Sequence, residues 1–453
     1  MTIEQSAVVG GTAAPETAAH KDPIGEIDSK NMNRIALSAF IGTALEWYDF
    51  FLFGTASAIV FNHLFFVNED PAVAALASFA TFGVGFLARP LGAVLFGKMG
   101  DKYGRRPALI LSIVVIGLAT GFVGLLPDYF AIGMAAPILL TLLRLFQGVA
   151  VGGEWGGATA LAIEHAPAEK RGRYAALIQI GSPAGTLLSS GAFSLAFMLP
   201  SESFDAWGWR LPFLAAFPFL VIALLIRLHV EESPVFKALE EEVDHDKEEQ
   251  GSLRALFSTH GKQIIVGAAA AITGIGGFFV MNTYALSYGS NVLGIDRQDM
   301  VTATMFAAVV QVFINLFFGR FAEKVGASKV VVLGGIVTAV LALPLWLLIN
   351  TGNVIAMGIA IIIGLASVTV PYSVIGVLLG ALFPAQVRYS GMAIAFNIAG
   401  AISGLLPFLA TWMNSFYEEQ SVIPAVIILA LISIVTAIGG FVGDKMADKE
   451  GEF

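Results

Sequence analysis

The chain reads as an all-α membrane protein in which twelve transmembrane helices form two six-helix bundles. Three observations predict this: the composition, the number and length of the apolar runs, and an internal duplication. Of 453 residues, 57% are apolar and 13% charged, and the mean hydropathy is +0.79. A soluble domain carries about 25% charged residues, so much of this surface must face lipid. Apolar runs of spanning length fall at about 35–61, 72–97, 108–126, 129–163, 174–199, 211–226, 264–288, 300–319, 330–349, 354–383, 389–413 and 421–443. A helix crosses a bilayer with about 20 residues. Barrel strands are about 10 residues long and alternate polar with apolar, so these longer, continuously apolar runs are helices.

Residues 1–32 are polar, rich in Ala, Thr and Glu, and lack the basic start and small-residue cleavage site of a signal peptide. They are expected to form a disordered cytoplasmic tail. A first bundle then occupies 33–229 and a second 263–443, followed by a cytoplasmic tail at 444–453. Between the bundles, 230–262 carries Glu231, Glu232, Glu240, Glu241, Glu242, Asp244, Asp246, Glu248 and Glu249, the pattern of a solvated, partly helical linker. Of the 25 Lys and Arg residues, 21 lie in the tails and in the loops after spans 2, 4, 6, 8 and 10. Short loops rich in Lys and Arg stay inside, which puts both termini in the cytoplasm and requires an even number of spans.

The duplication shows in the loops. Gly97-x3-Asp101-Lys102-x-Gly104 follows span 2 and Gly319-x3-Glu323-Lys324-x-Gly326 follows span 8; Pro167-Ala168 with Arg171 follows span 4 and Pro384-Ala385 with Arg388 follows span 10. Two matches at nearly equal offset indicate a repeated half.

Composition also removes function classes. With no cysteine, disulfides, thiolate metal sites and a cysteine nucleophile are excluded. The net charge of -9 gives nucleic acid nothing to bind. No HExxH, GxSxG or Walker loop occurs, and every His lies in a tail, in a loop or at a span end. An enzyme is therefore not expected, and a bilayer and a small-molecule substrate are the expected partners of a monomer.

Three segments carry a resemblance. Gly97-Lys98-Met99-Gly100-Asp101-Lys102-Tyr103-Gly104-Arg105-Arg106 resembles the signature loop between helices 2 and 3 of the major facilitator superfamily. Gly42-Thr43-Ala44-Leu45-Glu46-Trp47-Tyr48-Asp49-Phe50 in span 1, with Arg144 to Gly148 and Gly152-Gly153-Glu154-Trp155-Gly156-Gly157 in span 4, resembles its metabolite:proton symporter family. The resemblance covers the chain apart from its tails. It implies alternating access between two halves around a central site, inward transport, the proton as coupling ion without any cofactor, and a cell-membrane location. It also implies a gating role for Gly97, Asp101, Gly104, Arg105 and Arg106, whose simpler role is a tight turn and a topology signal.

Five ionisable side chains lie within spans, all in the first half: Glu46, Asp49, Arg89, Arg144 and Glu154. A charge at mid-membrane costs at least about 2.5 kcal/mol, so these groups pair or line a hydrated path. Asp49 and Glu154 are the first candidates for the coupling proton, Arg144 the cation whose pairing would follow protonation, and Glu46 a weaker candidate. A permanent ion pair that fixes helix packing is the alternative. Arg89 is the candidate for a substrate carboxylate, aided by Gln179, or else an anchor for Glu46. The second half offers neutral groups: Asn282, Tyr284, Tyr288, Gln311, Asn315, Tyr372, Asn397 and Trp412. One available cation favours a monocarboxylate, a cyclic or aromatic acid included, over a dicarboxylate. The alternatives are a zwitterionic osmolyte such as proline or betaine, and a non-transporting receptor.

Overall fold

The computed structural model describes residues 29–67, 70–103, 105–152, 159, 170–228, 253–384, 387–417 and 421–450. Among them there is no strand. Twelve helical segments follow in order. In the first half they are α1 (Ser29–Ile59), α2 (Pro71–Tyr103), α3 (Arg105–Val123), α4 (Ala135–Val151), α5 (Arg171–Gln179 and Gly181–Ala196) and α6 (Ser201–Leu225). In the second they are α7 (Phe257–Asn291), α8 (Arg297–Val325), α9 (Ala327–Asn350), α10 (Val354–Leu382), α11 (Ser390–Asn414) and α12 (Ile423–Glu450).

Eight of these are long and apolar enough to span a bilayer, and Ile110–Val123 and Ala135–Val151 are shorter apolar helices. The remaining two are α1, which carries Glu46 and Asp49, and the two-part α5. The second half of the run expected at 129–163 lies largely outside the described residues. Its start is not one continuous helix: Tyr129–Ile132 is a single turn capped by the Asp128 carboxylate, and Gly133, at φ 60°, breaks the chain before α4.

One expectation needs correction. The segment read as a loop after span 2 is helical through Tyr103, and α3 starts at Arg105. The described part of the linker is helical from Leu253, and that helix continues into α7 with a kink at His260, near the start of α7. Within α7, wide π-type turns run through Thr273–Gly277 and Phe279–Tyr284, a local widening of the helix.

The halves meet along a seam in which α2 packs on α11 and α5 packs on α8, with α1 touching α7 at the centre. Since α2 corresponds to α8 and α5 to α11 in the duplication, these contacts are equivalent by the internal repeat. At the terminal end of the α5–α8 contact the backbones touch: a Cβ on Gly172 would lie 2.6 Å from the Gly319 carbonyl oxygen. Small residues permit such approach in lipid, where packing supplies the attraction.

Candidate substrate and coupling site

The site is built on α1, α2 and α4. A Cβ on Gly148 of α4 would lie 1.9 Å from the Gly85 carbonyl oxygen of α2, so glycine alone permits this approach, and it brings Arg89 and Arg144 together against α1. Arg89 Nη2 donates to Glu46 Oε1 at 2.8 Å, with both side chains at most 2% exposed. Arg144 Nη1 donates to Asp49 Oδ2 at 3.4 Å. Asp49 Oδ1 also accepts from Gln147 Nε2 at 2.6 Å and from the Thr120 hydroxyl. The Phe50 ring lies between the two cations, 5.0 Å from the Arg89 guanidinium carbon and 4.8 Å from that of Arg144. Phe53, Phe82 and Phe86 complete the aromatic surround of Arg144, and such faces stabilise a desolvated cation by roughly 2 kcal/mol.

Each of these four buried charges therefore has an opposite partner, the condition under which it persists in lipid. Between α1, α3 and α6 a small cavity of about 40 Å³ reaches both Glu46 and Asp49, room for a few waters.

Several predicted residues lie along the seam. Gln179 Nε2 on α5 donates to the Tyr372 carbonyl oxygen at 3.1 Å, and Asn397 Nδ2 on α11 to the Gly152 carbonyl oxygen at 2.8 Å, each bond crossing between halves. Tyr372 meets Trp47 edge-on, with ring centres 6.1 Å apart, and Phe278 stacks on Phe51 at 4.2 Å. Glu46, Arg89, Gln179, Tyr372 and Asn397 thus share one region.

The others do not join it. Gln311 Nε2 donates to Thr369 Oγ1 at 2.8 Å and Asn315 Nδ2 to the Gln311 carbonyl oxygen at 2.9 Å. Tyr284 accepts from Asn414 Nδ2 at 2.6 Å, Tyr288 donates to Asn350 Oδ1 at 2.7 Å, and Thr304 Oγ1 donates to Asn282 Oδ1 at 2.7 Å. These are ties within the second half. Trp412 is 45% exposed and packs on Phe416. Glu154 lies outside the described residues, as do Gly104 and the side chains of Gly97, Asp101, Arg105 and Arg106.

Both ends of the seam are bridged. On the side of the termini, Glu323 accepts from the Arg173 backbone N–H at 3.2 Å and from its guanidinium at 3.4 Å. On the opposite side, Arg297 pairs with Asp205 at 3.6 Å, Gln298 Nε2 donates to Ser194 Oγ at 2.5 Å, and Asn291 Nδ2 to the Ala58 carbonyl oxygen at 3.0 Å. His63 sits beside this outer cluster, its imidazole held below the ordinary range by burial and then by Arg297. Among the described residues, contacts between the halves thus stand at both ends of the seam.

A family model described as the Major Facilitator Superfamily matches residues 39–407. The chain belongs to the major facilitator superfamily. This facilitator is 34% identical to the inner membrane metabolite transport protein YhjE of Escherichia coli K12, over 89% of this chain and 92% of that protein. It is 33% identical to the shikimate transporter of the same organism, over 91% and 95% of the two chains. It is 35% identical to the proline/betaine transporter of Salmonella typhimurium LT2, over 91% and 84%. Its fold matches the proton:xylose symporter XylE with a TM-score of 0.73 over 93% of this chain and 97% of that one, at 16% identity. It is a multi-pass membrane transporter of metabolites and not an enzyme.

Thr120, Gln147, Phe50 and Phe86 were not among the expected site residues. Gln147 carried a usable signal, since it follows Arg144 by one helical turn and so faces the same way. The pairing of Arg173 with Glu323 was also unforeseen, although both stand in the duplicated loop regions.

Proposed function

We propose that this facilitator takes up a small organic monocarboxylate together with protons, by alternating access between its two halves, with both termini in the cytoplasm. The observation that carries the reading is Arg89: a fully buried guanidinium at the seam, paired with Glu46 through one nitrogen, with Nε and Nη1 donating to no protein acceptor among the described residues. A carboxylate is the natural acceptor for such donors. The rings of Phe50 and Phe86 beside it, with the Trp47–Tyr372 pair in the same region, suit an apolar or cyclic body, and no second cation from the other half's spans is at hand for a dicarboxylate. The proton would ride on a buried carboxylate of the two ion pairs, Asp49 with Arg144 or Glu46 with Arg89.

A zwitterionic osmolyte is the second reading. It is favoured by the resemblance to the proline/betaine transporter and by aromatic faces that also attract an ammonium group. Counterflow in proteoliposomes under an inward proton gradient, with shikimate, benzoate, proline and glycine betaine, tests both. Accumulation of the acids alone supports the first reading. Accumulation of the zwitterions alone overturns it in favour of the second.

A further inference from the structure

We infer that Thr436, on α12, is a positioning residue for transport: its hydroxyl holds the widened part of α7 in register and so places the second-half rings that meet the site region of the first half. The role does not depend on which metabolite is carried.

In a regular helix the Thr273 N–H would donate directly to the Ala269 carbonyl oxygen, four residues earlier. Here a hydroxyl from another helix bridges these two groups. The Thr273 N–H donates to Thr436 Oγ1 at 3.1 Å, and Thr436 Oγ1 donates to the Ala269 carbonyl oxygen at 3.0 Å. A threonine within a helix commonly returns its proton to its own preceding turn; this one, fully buried, gives it to α7. Gly439, one turn further along α12, makes the reach possible. A Cβ there would stand 2.5 Å from the Ala270 backbone nitrogen and 2.9 Å from the Ala269 carbonyl carbon. The widened turn Thr273–Gly277 begins at the residue whose N–H is taken, as expected where a side chain enters the ladder of a helix.

That turn bears on the site. A π-type turn takes in about one residue more than an α turn, so it sets how the part of α7 beyond it is rotated against the part before it. Beyond it, Phe278 stacks on Phe51 of α1, and Phe279 meets Phe82 and Phe86 of α2 with ring centres 5.0 Å apart in each case. Phe86 in turn lies 5.7 Å from the Arg89 guanidinium carbon. Within the turn, a Cβ on Gly274 would stand 2.7 Å from the Tyr372 ring, the ring that meets Trp47 across the seam. Without the Thr436 hydroxyl, Thr273 and Ala269 would be each other's best remaining partners, because an unpaired backbone group in lipid is costly. The turn would narrow, and the rings of Phe278, Phe279 and Tyr372 would leave their places.

The chain has no cysteine, so an introduced pair can report the position of α7 through a short thiol crosslinker. Ala58→Cys with Asn291→Cys suits this, because Asn291 Nδ2 at the end of α7 reaches the Ala58 carbonyl oxygen of α1 at 3.0 Å. In purified full-length protein carrying this pair, Thr436→Val should crosslink about fivefold more slowly, the shift that loss of about one hydrogen bond allows. Thr436→Ser, which keeps the hydroxyl, should crosslink at the rate of the pair alone. Gly439→Ala lifts α12 off α7 with Thr436 in place; it should act as Thr436→Val does, and it covers a Thr436→Val protein that folds poorly. In proteoliposomes without the cysteine pair, Thr436→Val should slow counterflow of shikimate, benzoate, proline or glycine betaine, whichever the unmodified protein carries, by a similar factor. Thr436→Ser should restore it. The control is Thr338→Val, at a fully buried threonine of α9 whose hydroxyl has no partner among the described residues, and it should change neither readout. A hydroxyl that only ties α12 to α7 would lower the melting temperature of Thr436→Val and leave crosslinking and counterflow unchanged, which overturns the inference. An equal loss in Thr338→Val, or a Thr436→Ser that behaves like Thr436→Val, overturns it as well.

Discussion

The two halves of this transporter share a fold and a duplicated loop signature, yet their interiors are built from different chemistry. Helices α1, α2 and α4 bury Glu46, Asp49, Arg89 and Arg144 as two ion pairs around Phe50. The matching region of the second half is held by neutral bonds: Gln311 to Thr369, Tyr284 to Asn414, Tyr288 to Asn350 and Thr304 to Asn282. A duplicated architecture therefore does not require duplicated chemistry. One half can bury paired charges while the matching region of the other is held by neutral hydrogen bonds.

The comparison breaks if removing a first-half charge is no worse than removing a second-half bond. Arg89→Gln should have the largest effect. It leaves the Glu46 carboxylate buried without its cation, which costs about 3–5 kcal/mol when such a pair is cut on one side, and it removes the ligand's partner. Thermal unfolding in detergent should show the loss, and carboxylate binding should disappear. The double variant Arg89→Gln with Glu46→Gln should regain stability without regaining binding; if binding returns, the carboxylate sits elsewhere.

A bulky residue at the seam should come next. Gly172→Leu would drive a side chain into the Gly319 carbonyl, so closure on the side of the termini should fail. Transport should fall at least about tenfold, the consequence of a population shift of only 1.4 kcal/mol, with equilibrium binding retained. Uptake at the unmodified rate would show that this contact is not made during the cycle.

Thr369→Val removes the partner of Gln311 inside the neutral half. The expected cost is about 1 kcal/mol, read in the same unfolding assay, with transport close to normal. A large loss of uptake here would mean that the neutral half takes part in recognition.

The smallest effects belong to the exposed ends of the seam. Glu323→Gln breaks a pair whose Arg173 side chain is 42% exposed, so the change in stability should stay below about 1 kcal/mol and shrink further in high salt. On the other side, His63 is held below its ordinary range, which means the closed outer cluster favours the neutral ring. The sign follows: the closed form is favoured at higher pH and weakens as pH falls below about 6.5, where a free imidazole begins to take up protons. His63→Gln should flatten this part of the pH response, which an accessibility assay with cysteines introduced near Asn291 would detect.

Much of the fold was legible because lipid imposes long apolar helices, and twelve runs could be counted directly. The buried charges were equally legible, since Glu46, Asp49, Arg89 and Arg144 are conspicuous in an apolar background. Which acid meets which base was not. Glu46 and Asp49 are three residues apart on α1 and face nearly the same way, so their partners depend on how closely α2 and α4 approach, and that is set by Gly85 and Gly148. The neutral residues were harder still. Nothing in the local sequence separates Asn397, which bonds across the seam, from Asn282, which bonds within its own half.

The contact between Gly172 and Gly319 has a consequence for the speed of the cycle. Where side chains interlock, each closure must freeze rotatable bonds and each opening release them, at up to about 2 kcal/mol for a long flexible side chain. Two glycine backbones have no rotamers to freeze. Halves that touch and part there would do so with little change in conformational entropy, like a smooth bearing surface, and any free-energy difference between open and closed forms would be set by the other contacts along the seam.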